Sequence, residues 1–167
     1  YQGIASEYVR LLNERLGLNM RVVSTTWETV DDELRAGRLD AVPCVGISDS
    51  RGEYLGFSAP YISYHRVVIS RLDSPFMGNV ADLSGRKVAV QENSSHEAFI
   101  LEHTEITPLR LPTFEETLRA VAQGQVEYAI GNAATAGHWI KQLGLTNLRL
   151  AVPLGQQQET LHFAVRK

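Results

Sequence analysis

Residues 46–61 read GISDSRGEYLGFSAPY, and the interpretation of the whole chain starts from this segment. It follows an apolar run, Ala41 to Val45, which predicts a buried strand. Ser48 is a suitable helix N-cap and places Arg51 at the third helical position. A cation on the first turn opposes the helix dipole, so an arginine there suggests a bound anion. Its planar set of donors suits a carboxylate, and backbone N–H groups at the helix start add to it.

The composition limits the class of protein. The 167 residues, 44% hydrophobic and 21% charged, are typical of a soluble globular chain with one domain or two small lobes. The net charge of −3 argues against a nucleic-acid or polybasic membrane surface. A single cysteine, Cys44, excludes an internal disulfide and a cysteine-based zinc site. No apolar run predicts a membrane span or a signal peptide, and both ends of the chain suggest a fragment of a longer protein.

Helical and strand patterns alternate along the chain. Apolar spacing and capping residues predict helices over 4–16, 26–36, 95–103, 113–124 and 133–143. Short β-branched or apolar runs predict strands over 19–24, 40–45, 66–70, 87–91, 107–111, 127–131, 148–152 and 161–165. This alternation predicts an α/β fold with parallel strands.

An internal repeat suggests two lobes. TWETVDDELRAGRLDAV (26–42) aligns without gaps to TFEETLRAVAQGQVEYA (113–129), and each copy is a capped helix, a glycine stop and a strand. The alternative is independent convergence on a common helix–strand pattern. We predict a first α/β lobe over 1–62 and a second over 63–160. Residues 161–167 form a return strand near the hinge, and the sequence leaves open which lobe contains it.

Four loops follow strands and precede helices, where open α/β sheets bind ligands. They are 25–28, 44–51, 91–96 and 131–134. Together they offer an aromatic face, a fixed positive charge, free amides and small hydroxyls, which suit a small organic anion. The residues that would supply these groups are Trp27, Gly46 and Arg51 from the first lobe, and Ser94, Ser95 and Asn132 from the second.

Each of these residues also has a purely structural interpretation. Arg51 would then be a surface side chain paired with Asp49 or Glu53. The others would serve the core or cap helices: Trp27 and Cys44 as core residues, and Ser94, Ser95 and Asn132 as N-caps.

Catalysis finds little support. The five histidines are scattered without metal-ligand spacing, and the chain contains neither GxSxG nor GxxxxGK[ST]. Ser94 and His96, with Glu92 nearby, are a conceivable catalytic Ser/His pair. Residues two apart at a helix start diverge, however, so we predict no catalytic residue, metal or cofactor.

The segment from Ser48 to Arg51, followed by FSAPY (57–61), resembles the S/T-x-x-R…F-[ST]-x-P-Y signature of family 3 bacterial extracellular solute-binding proteins. The resemblance continues through ADLSG (81–85), KVAV (87–90) and GQVEYAI (124–130), and covers nearly the whole chain. GIASEYVRLLNERLGL (3–18), and GLTNLRLAVPLG (144–155) followed by LHFAVRK, look like the Venus-flytrap sensor domains of membrane-bound hybrid histidine kinases.

The resemblance implies two α/β lobes that close around a ligand, and it implies roles for individual residues. Arg51 matches the arginine that binds the ligand α-carboxylate in amino-acid-binding members. Ser94 matches a second-lobe hydroxyl that assists it, and Trp27 matches an aromatic residue that packs on the ligand. Gly46 stands where Ser or Thr is frequent, so only its backbone can serve, and Cys44 replaces a usual Gly or Ser.

Three departures from the family pattern matter. Asn132 stands where amino-acid binders commonly place an aspartate for the α-ammonium, which favours a carboxylate without an ammonium or another kind of ligand. The family also has an N-terminal strand and a C-terminal helical segment beyond the residues of this chain. If both are missing, the first lobe lacks a strand; otherwise they lie outside these residues or come from a partner chain.

The sequence therefore predicts the periplasmic sensory domain of an inner-membrane sensor histidine kinase, without enzymatic activity. Its partners would be a small anionic ligand, a carboxylate or amino acid, and the transmembrane and kinase parts of the same polypeptide, with a homodimer left open. The alternative is a solute-binding protein of an ABC transporter for amino acids or organic acids. A third hypothesis is an enzyme on this fold, a dehydratase or lytic transglycosylase. It would need a carboxylic acid poised in the cleft, and no Asp or Glu stands out at the four loops except Glu28 and Glu92, neither of which has an obvious partner.

Overall fold

The computed structural model describes residues 3–103, 105–154 and 158–167, without the side chain of Glu28. The chain divides into two compact units. Unit 1 comprises Tyr1–Ile62 and Leu161–Lys167, and unit 2 comprises Ser63–Thr160. Each unit has its own hydrophobic core.

The helices are α1 (Ile4–Leu16), α2 (Trp27–Arg35), α3 (Asp49–Gly52), α4 (Ser95–Leu101), α5 (Phe114–Ala122) and α6 (Ala133–Gln142). The strands are β1 (Ala41–Val45), β2 (Leu55–Phe57), β3 (Ile62–Tyr64), β4 (Arg66–Arg71), β5 (Lys87–Gln91), β6 (Thr107–Leu111), β7 (Tyr128–Asn132), β8 (Leu148–Pro153) and β9 (Glu159–Arg166). Of the helices in the described ranges, none is both long enough and apolar enough to cross a membrane.

In unit 1, the last strand of the chain is the centre of the sheet. β9 lies between β1 and β2 and runs antiparallel to both. The buried core beneath it joins helix α2 to the sheet, and its members are Val30, Leu34, Val42, Val45, Leu55 and Ala164. Val30 and Leu34 are four residues apart and therefore lie on one face of α2. That face is buried, so the side chains on the opposite face of α2 point away from the core.

The strand predicted over residues 19–24 is wrong. This segment has neither helical nor strand structure, and the side chain of Asn13 holds the backbone N–H and C=O of Met20, both at 3.0 Å. A groove of about 550 Å³ has this segment and β1 in its lining. Apolar β-branched residues favour a strand only where a neighbouring strand completes the hydrogen bonds, and none of the described residues does so here.

In unit 2, the sheet has the order β6-β5-β7-β4-β8. β5 is parallel to β6 and β7, as the helix–strand alternation predicts. β4 is antiparallel to β7 and β8, so the predicted parallel direction is wrong for this strand. The alternation constrains only strands joined through a helix, and no helix of this unit precedes β4.

Both faces of this sheet are covered. Val67 and Ile69 of β4 belong to a core cluster with α5 and α6, whereas the intervening Val68 belongs to a second cluster with Ile100 of α4. Side chains alternate between the faces of a strand, so covering both faces produces the unbroken apolar run seen in β4. The run of buried residues starts at Arg66, which brings a charged group into the interior beside α4.

Candidate functional site

Arg51 is buried and already holds a carboxylate. The side chain of Ser48 caps α3 by accepting a hydrogen bond from the backbone N–H of Arg51 at 3.4 Å, as the sequence predicts. Nε of Arg51 donates to Oδ1 of Asp31 and Nη2 donates to Oδ2, each at 3.2 Å. Only 4% of Arg51 is exposed. The interpretation of Arg51 as a surface side chain is therefore wrong, and its partner comes from α2, not from its own segment.

A tyrosine completes the surroundings of this carboxylate. The hydroxyl of Tyr54 donates to Oδ1 of Asp31 at 2.7 Å. Burial, followed by this hydrogen bond to an anion and by the charge of Asp31, raises the pKa of Tyr54 to about 12. The guanidinium of Arg35 lies over the Tyr54 ring, 3.8 Å from its centroid, in a cation–π contact. Asp31 thus accepts hydrogen bonds from the side chains of two neighbouring residues, Arg51 and Tyr54.

Trp27 lies beside the same group. The guanidinium carbon of Arg51 is 5.1 Å from the centroid of the Trp27 ring, and the ring also packs against the core of unit 1. Trp27 and Asp31 are four residues apart on α2, so they share one helix face. This spacing is the signal that sequence reasoning missed: the aromatic residue and the carboxylate approach Arg51 together. The structural interpretation of Trp27 as a core residue is compatible with its place beside Arg51.

Gly46 and Cys44 contribute no reactive group. Gly46 is buried directly after β1. Cys44 is half-buried, and burial raises the pKa of its thiol against a smaller opposing effect of its hydrogen bond with Tyr61. The hydroxyl of Tyr61 itself donates to the backbone carbonyl of Pro43. A thiol with a raised pKa carries less of the nucleophilic thiolate, which argues against a reactive role for Cys44.

In unit 2, the predicted residues act as helix caps. The hydroxyl of Ser94 accepts from the backbone N–H of Glu97 at 3.2 Å and donates to the carbonyl of Gln91 at 2.7 Å. Oδ1 of Asn132 accepts from the backbone N–H of Thr135 at 3.0 Å. This use of Oδ1 leaves the Nδ2 group of Asn132 as the part of its side chain that can donate to a solute.

Ser95 belongs to a buried polar cluster that the sequence did not predict. Arg66 is almost completely buried, and its Nη2 donates to the carbonyl of Ser95 at 3.3 Å and forms an ion pair with Glu159 at 3.1 Å. Its Nε donates to Nδ1 of His96 at 3.4 Å, and the hydroxyls of Ser95 and Tyr64 are 3.4 Å apart. Burial lowers the pKa of Arg66, and the charge of Glu159 opposes this change.

His96 is therefore a neutral hydrogen-bond acceptor. Burial, and to a lesser degree the charge of Arg66, lowers its pKa to about 3. Its Nδ1 faces Arg66, while the hydroxyl of Ser94 donates to a backbone carbonyl. The geometry gives no support to a Ser94–His96 catalytic pair. Among the residues that the structure describes, no group of three or more His, Cys, Asp or Glu side chains could hold a metal ion.

The low pKa of His96 predicts an acid-sensitive fold. Folded His96 binds fewer protons than unfolded His96, whose pKa is about 6.5, so its contribution to stability is complete above that pH. It declines as the pH falls from about 6.5 towards 3, by at most about 1.4 kcal/mol per pH unit. We expect His96→Gln, which keeps an acceptor for Arg66, to flatten the dependence of the unfolding free energy on pH between 6.5 and 4. Urea unfolding at several pH values measures this slope.

The control for this prediction is His138→Gln, at an exposed position on α6, which should leave the slope as in the wild type. An equal slope in the wild type and in His96→Gln would contradict the prediction.

The comparisons with known proteins agree with this arrangement. The model of the bacterial extracellular solute-binding proteins, family 3, matches residues 1–160. The virulence sensor protein BvgS of Bordetella pertussis is 28% identical over 155 residues, which are 92% of this chain and 12% of BvgS. The L-cystine-binding protein TcyA of Bacillus subtilis is 25% identical over 166 residues, 99% of this chain and 61% of TcyA. The chain thus spans only part of these curated relatives.

A solved structure shows the same fold over almost the whole chain. It is a histidine kinase sensor domain with similarity to periplasmic binding proteins, with a TM-score of 0.91 and 25% sequence identity. The match covers 98% of this chain and 72% of that one. The fold is thus the two-lobed α/β type of the periplasmic binding proteins, and the matched family and the relatives named here are solute-binding and sensor proteins.

Proposed function

Because the chain belongs to the bacterial extracellular solute-binding proteins, family 3, we propose that it is the extracytoplasmic solute-sensing domain of a membrane-bound sensor histidine kinase. The similarity to BvgS and to a histidine kinase sensor domain supports this assignment. The partners would be the transmembrane and cytoplasmic kinase parts of the same polypeptide, which places the domain in the periplasm. A homodimer stays a prediction.

The ligand that we propose is a small solute with a carboxylate group. The observation that carries this proposal is the two-point geometry at Arg51, whose Nε and Nη2 hold the two oxygens of a carboxylate. Planar bidentate pairing is the way in which arginine recognises carboxylates. Trp27 would pack on the apolar part of the solute, and Gly46 and Cys44 would offer only backbone groups and contact surface.

Unit 2 would contribute polar groups to the same solute. We assign this role to Ser94, Ser95 and Asn132, as the family resemblance implies. Asn132 supplies an amide and no charge, so it cannot neutralise an α-ammonium as an aspartate does. An organic acid without an ammonium group therefore suits this set better than an amino acid.

Signalling would follow from closure of the two lobes on the solute. A ligand shifts such an equilibrium only by its difference in affinity for the open and closed states. Groups from both lobes would provide this difference by contacting one solute together in the closed state. The change would then pass through the membrane to the kinase.

The second candidate is the solute-binding protein of an ABC transporter. The similarity to an L-cystine-binding protein over 99% of this chain favours it. The two candidates share the solute site and differ in what the site controls. Assay of the full-length polypeptide separates them: the sensor proposal expects kinase autophosphorylation to change with solute, and the transport proposal expects solute uptake to depend on the protein.

A thermal-shift screen tests the solute site. We would screen the wild type against C2–C6 mono- and dicarboxylates and L-amino acids, with Arg51→Met in parallel. A ligand at a hundred times its Kd adds about 2.7 kcal/mol of stability, and this gain should disappear in Arg51→Met. Arg38→Met is the control, because it removes the same charge at a largely exposed side chain, which pairs with Glu33. A ligand that stabilises the wild type and Arg51→Met equally would refute the carboxylate role of Arg51.

A further inference from the structure

The solute site proposed above contains a carboxylate of its own. Asp31 presents both oxygens to Arg51 at 3.2 Å and accepts a third hydrogen bond from Tyr54 at 2.7 Å. We propose that Asp31 is a built-in occupant of the anion subsite of Arg51, and that the carboxylate of a solute binds there by displacing it. This inference rests on the proposed function and makes Asp31 a residue that sets which solutes bind.

Asp31 fills a complete set of carboxylate donors. Arg51 contributes two donors in a plane and Tyr54 contributes a hydroxyl, which together form a receptor for one carboxylate. The Asp31 side chain fills it as the end of a free organic acid would. Each N–H or O–H group donates one hydrogen bond, so the donors that hold Asp31 cannot hold the carboxylate of a solute at the same time.

The two members of the Arg51–Asp31 ion pair differ in how far they are exposed. The Arg51 side chain is 5% exposed, whereas 30% of the Asp31 side chain is exposed at the surface of α2. The cap at Ser48 holds the backbone N–H of Arg51, and the Arg51 guanidinium lies beside the ring of Trp27. Asp31 has a short side chain at the solvent edge of a helix, so a change of rotamer carries its carboxylate into water. The cation is the fixed member of the pair and the aspartate is the displaceable one.

Occupation of Arg51 by Asp31 raises the apparent Kd of a competing carboxylate by a predictable factor. A binding-competent state that is populated in only a fraction of molecules raises the apparent Kd by the inverse of that fraction. If Asp31 leaves Arg51 in about 1–10% of molecules, it weakens the binding of a carboxylate by about 10- to 100-fold. A solute that makes no use of the guanidinium keeps its affinity. Asp31 would therefore select against weak, simple carboxylates and for solutes with further contacts.

Chemical rescue tests this proposal without knowledge of the natural solute. We would prepare Asp31→Ala in the 167-residue chain and measure thermal unfolding with sodium acetate or sodium formate, at ionic strength matched with sodium chloride. The added anion should fill the space that the Asp31 carboxylate leaves. We expect a saturable rise in Tm for Asp31→Ala and an apparent acetate Kd at least about 10-fold lower than that of the wild type.

Two controls make the result specific. Asp32→Ala removes the same charge from the next residue of α2, which is exposed, and should respond to acetate as the wild type does. Adding Arg51→Met to Asp31→Ala should abolish the rescue. Asp31→Ser is a second variant, with a small polar side chain, for the case in which Asp31→Ala does not fold.

Either of two results would overturn the proposal. One is the absence of an acetate effect in the folded Asp31 variants, and the other is an equal effect in the wild type. Both are independent of the solute screen: the screen can fail while acetate rescues Asp31→Ala, and a solute can bind through Arg51 while acetate rescues nothing. Failure of the inference is thereby distinguishable from failure of the proposed function.

Discussion

Gly131→Ala is expected to destabilise unit 2 by about 3 kcal/mol, the upper part of the usual range for overpacking a core. A Cβ atom at Gly131 would lie 2.4 Å and 2.5 Å from two ring carbons of Phe114, and 3.4 Å from the end of Ile69. Phe114 is a buried member of the core under α5, so its ring has little room to retreat. The shift of the urea unfolding midpoint measures the loss.

Gly137→Ala is the matched control for this substitution. Gly137 lies within α6, and a Cβ atom there meets nothing within 4 Å. Alanine is the better helix former by up to about 1 kcal/mol, so this variant should be slightly more stable than the wild type. Phe114→Leu, which shortens the clashing side chain, should recover part of the stability of Gly131→Ala. A Gly131→Ala protein as stable as the wild type would contradict the prediction.

Arg51→Met is expected to destabilise unit 1 by about 2–3 kcal/mol in the absence of any solute. Removal of one partner of a buried ion pair costs about 3–5 kcal/mol, and the partial exposure of Asp31 reduces this figure. Asp31 would keep the hydrogen bond from Tyr54 but lose its counter-charge. Methionine keeps most of the length of the side chain, so the loss reports the interaction more than a cavity. Chemical denaturation at pH 7 measures it.

A double-mutant cycle with Asp31→Asn checks the origin of this loss. If the two side chains stabilise each other, the double variant should be more stable than the sum of the single effects by about 1–3 kcal/mol. Arg38→Met, at an exposed ion pair, should leave the unfolding midpoint unchanged. Strict additivity in the cycle would show that Arg51 stabilises unit 1 without Asp31.

The ion pair of Arg51 with Asp31 bears both on the stability of unit 1 and on the proposed recognition of a solute. A buried guanidinium without a counter-charge is costly, so a site of this kind needs an anion whether or not a solute is present. Asp31 supplies that anion. If the carboxylate of a solute binds Arg51 as proposed, the same contact that stabilises unit 1 would compete with it, and the Asp31 variants should lose stability and gain affinity for the solute.

Helix caps and helix ends, which depend on residues close together in the chain, were predictable from the sequence. The cap of Ser48 on Arg51 and the capping box of Thr113 with Glu116 appear in the structure as expected, because each joins groups only three residues apart. The glycine after α1 has the left-handed conformation that ends a helix, with φ of 63° at Gly17. The family motifs, which are also short, identified the type of fold. The segment 19–24 shows the limit, since a strand depends on a partner elsewhere.

Only the tertiary structure determined which distant groups meet. Asp31 and Arg51 are 20 residues apart, and Arg66 and His96 are 30 residues apart. Neither pairing follows from a local spacing rule, because each depends on how elements that are distant in the sequence pack together. The antiparallel direction of β4 has the same origin, since no connecting helix constrains it. The sequence by itself determined the caps, most of the elements and the position of Arg51, through contacts within one or two turns. Packing decided that the carboxylate beside Arg51 is the protein's own.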